Sequence, residues 1–89
     1  MSASSDDRNR SMAVKFTAES DRLLRLALDE MSPVQRAVLT LAAEKHRFAA
    51  RSAERGRWHD CEFHCDSARH LMDSADELEA LLAEYAAPA

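Results

Sequence analysis

The chain has one glycine and two prolines in 89 residues, against seventeen alanines. Glycine and proline are the residues that most disfavour helix interiors, so this shortage predicts helix almost throughout. No apolar run approaches the roughly 18–20 residues a bilayer span requires. The opening MSASSDDRNRS has neither the basic start nor the apolar core of a secretory signal, which predicts a cytoplasmic protein. Two cysteines in that compartment read as reduced thiols, not as a staple. Lysine is also scarce, with two against ten arginines; with the alanine load, this suggests a GC-rich bacterial or phage gene. No stretch alternates with a period of two, so strands are not expected.

Eighty-nine residues make one small domain with a thin core, for which a partner or a second copy would supply stability. The fold class is therefore all-α: a short helix followed by a long antiparallel hairpin, a three-helix bundle completed by dimerisation. Residues 1–11 are polar and read as a disordered tail before a single helical domain over 12–89. The first helix is predicted over about 17–31, with Thr17 as N-cap and a stripe of Phe16, Ser20, Leu23, Leu24, Ala27, Leu28 and Met31. Ser32-Pro33-Val34-Gln35 reads as a capping box. Ser32 would accept from the backbone of Gln35, Gln35 would reach back, and Pro33 suits the first helical position. A second helix follows over about 33–55, and a third over about 57–86. The third carries a seam of Cys61, His64, Ala68, Leu71, Ala75, Leu78, Leu82 and Tyr85 at alternating spacings of three and four.

Charge divides along the chain. The net charge of −4 hides six basic against two acidic residues over 36–58, and one against eight over 59–89. A basic helix followed by an acidic one suggests that the two pair within the hairpin. The overall acidity argues against duplex binding, where phosphate neutralisation dominates affinity. Arg47, Arg51 and Arg55 on one face keep a nucleic-acid accessory role open as a third reading.

Gly56 and Trp58 mark the bend of the hairpin. Around it, Phe48-Ala49, Gly56, Trp58, Cys61, Cys65 and Ala68 resemble one tetratricopeptide hairpin: an apolar–small pair, then Gly-x-aromatic, then small and bulky residues at matching spacings. Microtubule-interacting-and-transport hairpins share the turn pattern. The resemblance spans about residues 45–73. Within it Lys45, Ser52 and Asp73 stand where the family favours tryptophan, tyrosine and proline, and Cys61 replaces an alanine. It implies hairpin geometry and a binding role, and it names no ligand.

His59, Cys61, His64, Cys65 and His70 make one cluster with metal-ligand chemistry. If Ala49 packs on Cys61, the register brings His46 opposite His64, and a zinc site from His46, Cys61, His64 and Cys65 becomes conceivable. The plainer reading makes the cysteines small buried apolar side chains. Asp60, Glu62 and Asp66 flank the thiols and work against a lowered pKa, so a redox switch is weakly supported. No nucleophile sits beside a base at a recognisable spacing and no glycine loop could cradle phosphate, so an enzyme is not expected. Phe63 falls off the seam, with His59 and His70 around it, and Leu81 is likewise displaced. These four residues are the predicted partner-binding positions. The sequence thus reads as a helical protein–protein interaction or regulatory protein, an accessory or phage-type inhibitor. The alternative is a zinc-binding helical sensor.

Overall fold

The computed structural model describes residues 2–86, and they form three helices: α1 (Ser2–Asp29), α2 (Pro33–Glu54) and α3 (Trp58–Ala86). The architecture is all-α, with no strand among the described residues. α2 is the central element. α1 packs along one flank of it and α3 along another, while no α-carbons of α1 and α3 approach within 8 Å among the described residues. The result is a slab of 65 × 24 × 13 Å.

The α1–α2 connection follows the capping chemistry. Ser32 holds an extended backbone and its Oγ accepts from Gln35 N at 3.2 Å, with Pro33 at the start of the helix. The second half of the capping box does not form. The Gln35 side chain instead crosses to α3, where Nε2 donates to Asp76 Oδ1 at 2.9 Å and Glu79 Oε2 at 2.8 Å. That pair of bonds fixes the level at which α3 passes the start of α2.

At the other end, Gly56 adopts φ +69°, the left-handed conformation that only glycine enters without a side-chain penalty. A Cβ there would also meet Asn9 Nδ2 at 3.3 Å. For residues 2–11 the helix corrects the expectation of a disordered tail, while Met1 lies outside the described residues. α1 extends back to Ser2, and Asn9 lies against the hairpin turn. Met12, Ala13 and Phe16 pack over Ala49, Ala50, Ala53 and Cys61, and these apolar contacts anchor the early turns of α1. Thr17 is accordingly no N-cap; its Oγ1 donates to Ala13 O at 2.9 Å within the helix.

The core is thin and built largely of alanine. Ala42, Ala49 and Ala53 of α2 are completely buried, and Cys61, Ala68 and Ala75 of α3 nearly so. Residues without long side chains let neighbouring backbones approach, which is how three helices enclose a core in so flat a body. Among the described residues Leu23 is the one large apolar side chain that is essentially fully buried, in a cluster with Leu39, Ala42 and Ala43 of α2 and Ala68 of α3. The predicted α1 stripe does not continue to its end, since Leu28 and Met31 are exposed where α1 leaves α2.

Candidate functional site

Shape and charge point to the same region. The radius of gyration is 16.1 Å, against roughly 12 Å for a compact domain of this length. The accessible surface is 6543 Å², against roughly 5,200 Å² for a compact monomer of 10.0 kDa. The excess is carried in part by α3, which overruns α2. Gln35, in the first turn of α2, is already level with Asp76 and Glu79, so the turns after Glu79 have no helix beside them. Every residue from Ala80 to Ala86 is exposed.

The seam of α3 explains why this exposure is unusual. Cys61, Ala68 and Ala75 are buried, but Leu78, Leu81 and Leu82 remain close to half exposed and Tyr85 almost fully so. His64, Leu71, Leu78, Leu82 and Tyr85 recur at spacings of seven, seven, four and three, which places them on one stripe of the helix. Its first member is covered: the His64 ring lies 5.4 Å from that of Phe48 on α2. Leu78 lies at the edge of α2, and Leu82 and Tyr85 extend beyond it. Phe63, next to the stripe, is 64% exposed and makes a T-shaped contact with His64, ring centroids 5.6 Å apart. His59, His70 and Leu81 are also exposed, so the four predicted partner-binding positions all lie on the accessible surface of α3.

Phe48 joins this stripe to a cleft between α1 and α2 of about 290 Å³, whose wall includes Leu24, Ala43, Glu44, Arg47, Phe48 and Arg51. Ser20, also on the wall, is completely buried and its Oγ has no hydrogen-bond partner. Arg51 lies over the Phe48 ring at 5.7 Å, and Arg47 reaches Asp21 of α1 only at 3.9 Å. The expected pairing of a basic α2 with an acidic α3 is absent: among the described residues no ion pair joins the two helices. Arg47 and Arg51 lie on the wall of the α1–α2 cleft, and the acidic residues of α3 that face α2, Asp76 and Glu79, accept from Gln35.

The cysteine–histidine group is distributed, not convergent. Ala49 and Cys61 do share a core cluster, as the register requires. His46, however, stacks on Phe16 of α1 at 6.3 Å, while His64 lies on Phe48. His46 and Phe48 are two residues apart, about 200° around a helix, so the two imidazoles sit on different flanks of α2. Among the described residues no three His, Cys, Asp or Glu side chains converge where a metal ion could sit. The His46, Cys61, His64 and Cys65 set therefore does not assemble as a ligand sphere. Burial raises the Cys61 thiol pKa and pushes that of Cys65 up to about 11, leaving both protonated and poorly nucleophilic near neutrality.

His46 has a structural consequence. Its Nδ1 is buried without a partner, and burial lowers its pKa; Glu19 opposes that shift and Arg22 adds to it. Above the ordinary histidine value of about 6.5 both folded and unfolded chains hold it neutral, and no stability change arises. As pH falls below that value the unfolded chain takes up the proton first, so the folded state loses stability. The melting temperature is expected to drop between pH 7 and 5, and His46→Phe is expected to remove part of that drop. Thermal unfolding followed by circular dichroism at several pH values checks it; an unchanged slope in the variant would assign the dependence elsewhere.

Gln35 and Asn9 are the positioning residues that sequence reasoning missed. Each makes its contact across the helix layer, and neither has a local signal that distinguishes it from a solvated polar side chain. The chain matches no family model, no curated protein and no solved structure. No helix among the described residues is long and apolar enough to cross a membrane.

Proposed function

We propose that the protein is a small helical interaction or regulatory protein that works by docking another protein on the exposed apolar stripe of α3. The observation that carries this reading is that the stripe is interior-like in composition but uncovered. Leu78, half exposed where α2 begins, and Leu82 and Tyr85 past the last turn that α2 reaches continue the buried seam, with Phe63 and Leu81 beside them. Large apolar side chains grouped on a surface mark contact sites, and aromatic members commonly contribute most of the binding energy. The hairpin geometry, with its glycine turn and close-packed small residues, supports the same class of role by holding α3 rigid along much of its length.

Phe63→Ala with Leu81→Ala tests the reading. Both side chains are exposed, so melting is expected to change by less than about 0.5 kcal/mol. Binding to a protein partner, or self-association measured by cross-linking, is expected to weaken at least roughly tenfold if these side chains serve as anchors. Unaltered self-association and unaltered partner capture would remove the assignment.

A further inference from the structure

The proposed docking face has an occupant whose chemistry is visible in the same molecule. From Leu71 to Ala86 α3 carries Asp73, Asp76, Glu77, Glu79 and Glu84 and no lysine or arginine. An acidic helical arm with exposed leucines and a tyrosine requires a receptor that is both apolar and cationic. The cleft between α1 and α2 is of that kind: Leu24 and Phe48 supply the apolar wall, and Arg47 and Arg51 outnumber its single carboxylate, Glu44. Asp76 and Glu79 of the arm accept from Gln35, but among the described residues neither set of charges is neutralised by a close ion pair within the molecule. Arg51 has no carboxylate at ion-pair distance among the described residues, and Arg47 has only the long contact to Asp21. No residue of the arm forms an ion pair there either.

Resting on the docking reading above, we infer that the α3 arm of one copy lies in the Arg47–Arg51 cleft of a second copy of this chain. The charge division that does not pair α2 with α3 within one molecule then pairs them between two. Intramolecular closure is excluded by the antiparallel layout, because the arm leaves α2 at its Pro33 end while Arg47 and Arg51 lie toward its Gly56 end. A two-fold pair makes the exchange twice, each copy giving an arm and receiving one. The area is sufficient. The surface exceeds that of a compact monomer by more than the roughly 800 Å² per partner that stable pairs bury.

Sedimentation velocity on the full chain tests this with charge exchange. The wild type is expected to sediment at twice its 10.0 kDa mass, loosening as salt rises because the contact is electrostatic at its edges. Arg47→Glu with Arg51→Glu, and separately Glu77→Lys with Glu84→Lys, are each expected to weaken self-association at least roughly tenfold. An equimolar mixture of the two variants is expected to recover it as a mixed pair, though each alone is monomeric. All four positions are exposed, and helical circular dichroism confirms that the variants fold.

A dimer indifferent to both reversals would overturn the arm-in-cleft contact and leave a different self-association face. A monomeric wild type whose capture of another protein depends on Phe63 and Leu81 would overturn the second-copy assignment alone. A monomeric wild type with no such dependence would remove the docking reading as well.

Discussion

Leu23→Ala is expected to lower stability by about 3 kcal/mol, within the 2–5 kcal/mol range for large-to-small changes at buried leucines. In a domain of this size that corresponds to a fall of roughly 15 °C in melting temperature. The effect is large because Leu23 is the only bulky apolar side chain that α1 buries essentially completely. Its neighbours Ala42, Ala43 and Ala68 are too small to move into the space it leaves. Leu26, nearly half exposed on the same helix, provides the contrast. Leu26→Ala is expected to cost under about 1 kcal/mol, since less area returns to water. Urea unfolding of the two variants measures the difference; equal midpoints would mean that α1 is held by its surface and not by Leu23.

Ala49→Leu is the opposite perturbation and is expected to be nearly as damaging. Ala49 is completely buried in the cluster that joins Ala13 of α1 to Cys61 of α3. Three added carbon atoms at that point must separate α1 or α3 from α2, and overpacking of this kind costs about 2–3 kcal/mol. The loss would concentrate at the Gly56 end, so amide exchange there should accelerate more than around Leu39. Leucine tolerated at Ala49 would show that the alanine floor is loosely packed and that the close approach of the helices is not required.

The legible parts of this fold are those encoded by local chemistry. Ser32-Pro33 marks the start of α2 because a hydroxyl and a missing N–H act within one turn, and Gly56 marks the bend because a left-handed residue is needed there. The α3 seam was legible through Ala75 for the same reason that it becomes informative afterwards. Periodicity shows which residues share a stripe, but it does not show where the neighbouring helix stops. Residues 2–11 carry no apolar period, and the placing of Asn9 against the hairpin turn and of Ala13 in the cluster beside it is set by how α1 docks. Gln35 suits a capping box equally well in sequence, and only the presence of Asp76 and Glu79 nearby diverts it.

The candidate site divides along the same line. The exposure of Phe63 and Leu81 was legible because each falls off the seam of α3. The metal set His46, Cys61, His64 and Cys65 misled because sequence spacing relates residues on one helix but not their direction on the next. His46 turns to Phe16 and His64 to Phe48, and of the two thiols Cys61 is buried and Cys65 half-buried. The arginine cleft could not be found from charge alone, since the same six-to-two basic excess over 36–58 fits internal pairing with α3 until the faces are known.

A dilution series followed by two-dimensional amide NMR tests the central claim most directly. If the uncovered stripe of α3 is a docking face occupied by a second copy, the signals of Phe63 and of residues 78–86 shift with concentration. Those of Arg47, Phe48 and Arg51 shift along the same isotherm, while Cys61 and Ala68 in the core stay fixed. Spectra that do not change with concentration, or changes confined to the outer face of α1 around Lys15 and Arg22, would contradict the account.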